Sequence, residues 1–416
     1  MRSRLAAAPL RISALTGVAA PVRRNMLLLA AGMAALYGMV ELASAVATLT
    51  FVSAGGPGSL TGLAPAVFLS SAALTALPAG RSMDRFGRAP VLRAGFVAGI
   101  CGCLIAAVGS SWKSLPAVIV AFALVGSSIG TVMLSRTAAA DMYPAERRAE
   151  GIALVLFGAV FGALLGPAVF IPLVGGGELE GSSLGAAWLG AAAFMAAGLA
   201  LLTGVRTDPT DIAQSMSPST AATPEAEPVA RILRRPGIAA VLVGAVASWA
   251  IMVTLMTLMA PALAAHHHAK TAIFPVLSAH FVGMFALFPV VGVVIDRVGG
   301  RRALLGGLIL LTVSALALPS ALASVPLTAV VLLCIGLGWS FAYVSATTEL
   351  LGSASPAERG RLLGACDLLS GLTGAGLVVL AGYVLDTDGV EYVAGGAALV
   401  AVTAMLLIVT RLGWSS

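Results

Sequence analysis

Apolar residues run along this chain in stretches of about 18 to 25, broken by short polar clusters that carry Gly, Pro and Arg. A run of that length crosses about 30 Å of hydrocarbon as a helix. Twelve such helices are expected, at about 26–48, 62–79, 91–110, 115–137, 151–173, 184–204, 237–262, 272–292, 302–320, 326–348, 362–385 and 392–411. The runs are rich in Gly, Ala and Leu, and a helix satisfies its own backbone in lipid, so the pattern argues for helices rather than a β-barrel.

Composition places the chain in the membrane class. Of 416 residues, 59% are hydrophobic and 10% charged, and mean hydropathy is +1.01, far from a soluble domain. The basic stretch 1–25 lacks a convincing cleavage site, so it reads as a cytosolic tail. The polar segment 205–236, rich in Ser, Thr, Pro and Glu, reads as a cytosolic linker between six-helix bundles at 26–204 and 237–411, with a short tail at 412–416. Cys101, Cys103, Cys334 and Cys366 all fall inside apolar runs, which argues against a disulfide framework.

Charge fixes the expected orientation. With both ends in the cytosol, all 22 arginines fall at or near cytosolic helix ends, and the two lysines, Lys113 and Lys270, fall outside. That is the positive-inside pattern. The net charge of +6 is therefore topological and does not require a nucleic-acid partner; the lipid bilayer is the expected surround.

The halves echo each other. GRSMDRFGRAP (80–90) recurs as GVVIDRVGGRR (292–302), and DMYPAERRAEG (141–151) as GSASPAERGRLLG (352–364). Paired repeats suit a carrier that rocks between two open states. The chain resembles the major facilitator superfamily over nearly its whole length. Gly80, Asp84, Arg85, Gly87 and Arg88 match the family's loop motif, and Gly292, Asp296, Arg297, Gly299, Arg301 and Arg302 its second copy. The resemblance implies a gating role, in which the Asp caps and charge-pairs with neighbouring cytosolic helix ends, and Arg136 is the expected partner of Asp84. Independently, Gly permits a tight turn and an Asp is stabilised at a helix N-terminus. Gly158, Gly162, Gly166 and Pro167 on the fifth helix read as a close-packing face or as a variant of the motif found in the family's drug/proton antiporters.

Candidate chemistry gathers in the seventh and eighth helices. Met252 and Met256 are one helical turn apart, as are His280 and Met284. Counted from the outer bends, Met256 lies near the depth of His280, and Met252 near that of Met284. If those faces meet, thioether and imidazole make a soft site suited to Cu(I). Methionine also fills irregular cores, and a membrane-buried histidine can instead bind an organic solute or carry a proton. The pairs MVTLM (252–256) and HFVGM (280–284) resemble the superfamily's bacterial copper importers linked to cytochrome c oxidase assembly, a subgroup with riboflavin-transporter relatives. That resemblance implies copper, as transported substrate rather than resident cofactor, bound by Met252, Met256, His280 and Met284 during import across the inner membrane. His266, His267 and His268 at the outer mouth read as metal capture or as an exposed polar bend.

Glu41 and Asp367 are proton-coupling candidates, since a carboxylate inside a span is costly unless it faces a cavity or a partner. Cys366 reads as an inner relay for the ion or as inert packing. Tyr37, Trp249 and Trp339 read as packing or interface anchors, or as rings that stack on a planar solute. No nucleophile–base pair or phosphate loop is visible, which argues against an enzyme or an ATPase. A monomeric, all-α secondary transporter working by alternating access is the reading, with copper the leading cargo, riboflavin or another small organic solute an alternative, and proton-coupled export a further one.

Overall fold

The computed structural model describes residues 20–57, 63–174, 182–216, 228–235, 237–259, 262–263, 266 and 273–412. The first half contains α1 (Ala20–Ser53), α2 (Leu63–Phe86), α3 (Arg88–Ser111), α4 (Leu115–Val132), α5 (Ser135–Asp141), α6 (Arg148–Val174) and α7 (Ser182–Thr203). Two short helices, α8 (Pro209–Met216) and α9 (Val229–Ile232), lie in the connection. The second half contains α10 (Ile238–Thr257), α11 (Ile273–Phe281), α12 (Phe288–Val298), α13 (Gly300–Ala321), α14 (Val325–Gly352), α15 (Arg359–Thr387) and α16 (Val390–Leu412). Among the described residues, eleven helices are long and apolar enough to span a membrane, and one bent pair makes a twelfth.

Local chemistry sets the punctuation. Gly87, between α2 and α3, and Gly299, between α12 and α13, have φ of +91° and +95°, a region that L side chains rarely adopt. A methyl at Gly87 would also meet an oxygen of Asp208 at 2.9 Å. Pro near the first turn opens both α4 and α14, where its missing N–H removes no intrahelical bond.

Two expected helices are broken. The span expected at 115–137 divides after Val132 into α4 and α5. The span expected at 272–292 continues to Val298, and it passes from α11 through a π-helical segment, Val282–Ala286, into α12. The chain bends 49° across this join. The cause lies in α14: Gly336 admits the backbone of His280 and Met284, while Gly283 presses on Leu333 and Leu337. Ser340 Oγ donates to the Met284 carbonyl at 2.6 Å and lies 3.1 Å from that of Gly283. It thus serves carbonyls that a π turn displaces from the regular ladder.

Within the first half α1 packs on α6 and α7, and α3 on α4 and α7; within the second, α13 packs on α14 and α16, and α10 on α14, α15 and α16. Between halves the main contacts are α2 with α15 and α6 with α12. These contacts exchange when the halves are swapped, as a two-fold repeat requires.

Candidate functional site: a central aromatic chamber above a closed seam

The seam lies on the side of the bundle that carries the 205–236 connection. Asp84, at the end of α2, accepts the backbone N–H of Gly360 at 2.9 Å and of Arg361 at 2.8 Å, so it caps the first turn of α15 in the opposite half. It also accepts Arg361 Nε and Arg88 Nη1, each at 3.0 Å. Arg88 is fully buried; its Nε donates to Asp141 at 2.8 Å and its Nη2 to the Pro356 carbonyl at 2.6 Å. The other oxygen of Asp141 takes Arg359. Charge-assisted bonds of this kind are the strong ones.

The second copy of the motif does the same job with less. Asp296 accepts the N–H groups of Ala149 at 3.3 Å and Glu150 at 3.1 Å, capping α6. Arg297 is exposed, and the exposed Arg301 reaches Glu349 only at 3.8 Å. In the first copy Arg85 is likewise exposed, stacked over Phe86 at 5.0 Å. Close approach supplements the caps: a methyl at Gly292 would meet the Ala149 carbonyl at 2.8 Å, and one at Gly80 would strike the carbonyl of Gly360.

The connection is tied into the seam. Asp208 accepts the N–H groups of Arg88 (3.1 Å), Ala89 (2.9 Å) and Thr210 (2.9 Å). Burial pushes this carboxyl up, but the amides of Thr210, Ala89 and Arg88 outweigh it and hold Asp208 below its usual range. Glu358 shows the same balance: burial raises it, and Arg235 with Ser355 brings it below the usual range.

Arg136 is not the partner of Asp84. Its side chain projects from α5 into the centre of the bundle, fully buried, and pairs with Asp367 of α15. Asp84 is already saturated by α15 and Arg88, and the break after α4 carries Arg136 away from the seam. Its Nη1 donates to the Met133 carbonyl at 3.3 Å, and its guanidinium lies 5.0 Å over the ring of Tyr343, a cation–π contact. Tyr343 stacks on Trp339 at 4.9 Å and 19°. Trp249 meets both rings, at 5.7 and 5.9 Å. Tyr37 reaches across from α1 to the edge of Phe285 at 4.9 Å, and its hydroxyl lies 3.9 Å from the sulfur of Met133.

Arg136, Trp249, Tyr343, Asp367, Ser370 and Met133 border a cavity of about 90 Å³. Ligand pockets are usually about 300–1,000 Å³, so the chamber is contracted in this state. Two of the bordering side chains carry buried polar atoms without a hydrogen-bond partner, Arg136 Nε and Ser370 Oγ; Trp339 Nε1 and His280 Nε2 are likewise unpartnered elsewhere in the second half. Unpartnered groups at that burial are costly. Tyr343 and Phe285 were not anticipated from sequence, although Trp339 and Tyr343 stand one turn apart and Phe281, Phe285 and Phe288 follow helical spacing.

The expected Met/His ladder takes a different form. His280 is fully buried, and its Nδ1 bonds the Leu332 carbonyl of α14 at 2.9 Å. The imidazole is thus anchored on α14 through Nδ1. Helix α14 is the common neighbour of α10 and α11, because Gly336 and Gly283 let the eighth span press against it. Met252 and Met284 are buried and Met256 half-buried. Among the described residues no cluster of three His, Cys, Asp or Glu side chains is arranged to hold a metal. His266 is exposed; His267 and His268 lie outside the described residues.

The remaining candidates are distributed around the chamber. Cys366 is buried beside Asp367. Glu41 is half-buried one turn beyond Tyr37 on α1 and packs against α6, where a methyl at Gly166 would meet its Cβ at 2.6 Å. Gly158 and Gly162 lie against the α1 backbone at Ala30, Ala34 and Gly38, so the glycine ladder forms the α1–α6 contact. Pro167 closes that ladder within α6.

The family model described as Major Facilitator Superfamily matches residues 26–348 and 246–413. The chain belongs to this superfamily. It is a membrane-embedded transporter rather than an enzyme. Within the family it is 27% identical over 392 residues to the uncharacterized MFS-type transporter YdeG of Bacillus subtilis (strain 168), covering 91% of this chain and 89% of that one. It is 26% identical over 378 residues to the riboflavin transporter RfnT of Brucella anthropi, covering 90% and 92%. The fold matches the human organic anion transporter MFSD10 (TETRAN) with a TM-score of 0.70 at 17% identity, over 94% of this chain and 100% of that one. It also matches the proton:xylose symporter XylE with a TM-score of 0.72 at 14% identity, over 94% and 96%.

Proposed function

We propose that this carrier takes up a small planar organic solute of the flavin type across a bacterial inner membrane by alternating access, with the connection and both chain ends in the cytosol. The arginine distribution supports that orientation. The observation that carries the cargo class is the chamber lining, in which the Trp249 and Tyr343 rings form an aromatic wall beside the Arg136–Asp367 pair. Aromatic walls with a few fixed polar groups suit a planar heterocycle. The similarity to a riboflavin transporter over nine tenths of the chain favours the same class. Loading requires the contracted chamber to widen and Asp367 to loosen from Arg136; Asp367 and Glu41 are the carboxyls placed to take up a coupled proton.

A second reading, copper, rests on His280. Since a carbonyl only accepts, the bond to Leu332 fixes the proton on Nδ1 and leaves the Nε2 lone pair buried without a partner, the form in which imidazole ligates metal. Met252, Met256 and Met284 would supply thioethers, His266, His267 and His268 outer capture, and Cys366 an inner relay.

Uptake of isotopic riboflavin and of isotopic copper by cells expressing the wild type, Trp249→Ala or His280→Ala, at matched surface level, separates the readings. The expected result is riboflavin uptake lost in Trp249→Ala with copper uptake at the background of empty cells. Copper uptake that disappears in His280→Ala while riboflavin is never accumulated would overturn the organic-solute reading.

A further inference from the structure

We propose that two lateral grooves, one on each half, bind the headgroup of an anionic phospholipid on the side of the connection. The first lies between the start of α1 and the end of α7, has a volume of about 610 Å³, and is lined by Arg24 and Arg206 over an apolar floor that includes Leu28, Ala197 and Ala200. The second lies between the start of α10 and the end of α16, measures about 450 Å³, and is lined by Arg234, Arg235 and Arg411 over Ala239, Ala240 and Val243. The helix pairs α1–α7 and α10–α16 are equivalent in the two halves and pack together in each.

The repetition extends to the sequence. An Arg-Arg pair stands at the start of the first helix of each half, Arg23–Arg24 in the first turns of α1 and Arg234–Arg235 just before α10, and a single arginine follows or closes the last, Arg206 and Arg411. The same charge arrangement therefore stands at the same place twice, on a fold whose halves otherwise differ in their gate charges. No acidic side chain lines either groove among the described residues. The charges are not explained by the helix ends alone. Arg93 already takes the α7 carbonyl of Leu202 and the Val205 carbonyl beyond it, at 3.1 and 2.9 Å. Arg235 is engaged with Glu358 at 2.7 Å, so Arg234 and Arg411 are the cations directed to the second groove.

Each groove thus pairs two cations at the membrane–water boundary with a strip of small apolar residues running into the hydrocarbon. A phosphodiester meets the guanidinium fork, and an acyl chain lies along the Ala-rich floor. Basic pockets between spans on the cytoplasmic side recognise anionic headgroups in this way. The occupant is a phospholipid of the surrounding leaflet rather than a free anion, because a free phosphate would leave the apolar floor exposed.

The test uses the full chain in detergent, with equal amounts of phosphatidylglycerol and phosphatidylethanolamine added and bound lipid counted by native mass spectrometry. The wild type is expected to retain phosphatidylglycerol preferentially. The variants Arg24→Gln/Arg206→Gln and Arg234→Gln/Arg411→Gln should each bind it on the order of tenfold more weakly at one site, from the contribution of each arginine near an anionic headgroup. The corresponding lysine variants should keep it, which separates lost charge from lost fold. Equal retention of both lipids by the wild type, an unchanged preference in the combined glutamine variant, or displacement of phosphatidylglycerol by millimolar inorganic phosphate would each overturn the proposal.

Discussion

The seam and the chamber use the same residue types to opposite ends. In both, arginine meets aspartate across the two halves: Arg359 with Asp141 and Arg361 with Asp84 at the seam, Arg136 with Asp367 in the chamber. At the seam the Asp84 carboxylate is surrounded by donors, two of them backbone amides at a helix start. In the chamber Arg136 keeps Nε, and Ser370 its Oγ, without a hydrogen-bond partner. A satisfied network favours one arrangement, and an unsatisfied one stores the affinity for something that is not yet there. The seam holds a state; the chamber is built to receive.

The sharpest way to break this contrast is Asp141→Asn. Asp141 holds Arg88 and Arg359 together, one from each half, and neutralising it leaves two buried guanidiniums short of charge. Losing one partner of a buried ion pair costs about 3–5 kcal/mol. That exceeds what a carrier needs to separate two states of comparable population. Spin labels at exposed Arg81 on α2 and Ser353 beyond α14 should then report a longer distance on the connection side, with the wild type remaining short. An unchanged distance distribution would mean that helix packing of α2 on α15, rather than charge, keeps the seam closed.

The two caps sharpen the comparison further, at smaller cost. Asp84 serves two amides and two guanidiniums, whereas Asp296 serves two amides. Asp84→Asn should therefore destabilise the closed seam by about 2–3 kcal/mol, and Asp296→Asn by about 1 kcal/mol. The same label pair measures both. Equal shifts would show that the caps, and not the arginines, set the balance.

How much of this was legible follows from sequence distance. The hydrophobic runs are local, so twelve spans could be counted, and the repeated DR and PAER segments marked the seam because each is a short local motif that recurs at the same place in both halves. The chamber pair was not legible. Asp367 lies 231 positions from Arg136, and the Asp84 pairing expected of Arg136 assumed an unbroken fourth helix that the turn after Val132 interrupts. His280 is a related case, since its bond to the Leu332 carbonyl on α14 is one that depth along the helix does not foresee. Equal depth along two antiparallel helices fixes height but not rotation, and Gly283 and Gly336 turn the eighth span onto α14. Of the aromatics singled out as stacking candidates, Trp249 borders the cavity, while Trp339 packs against Trp249 and against Tyr343, one turn further on.

The smallest effect tests whether the connection belongs to the seam or merely passes it. Asp208 is held by three amides, two of which open α3, so it acts as a cap supplied from the connection rather than from the helix itself. Its folded-state pKa lies below its ordinary value of 3.8, which means the ionised form is the one bound. The stabilisation is therefore complete above the unfolded pKa and is lost as pH falls through the folded one. Asp208→Asn, worth about 1 kcal/mol as a lost charged cap, should lower the Tm in detergent at pH 7. The gap from wild type should shrink steadily as the pH is taken below 3.8. A gap that persists unchanged in acid would mean that the introduced carboxamide disrupts packing instead, and that the carboxylate charge contributes nothing to anchoring α8 on α3.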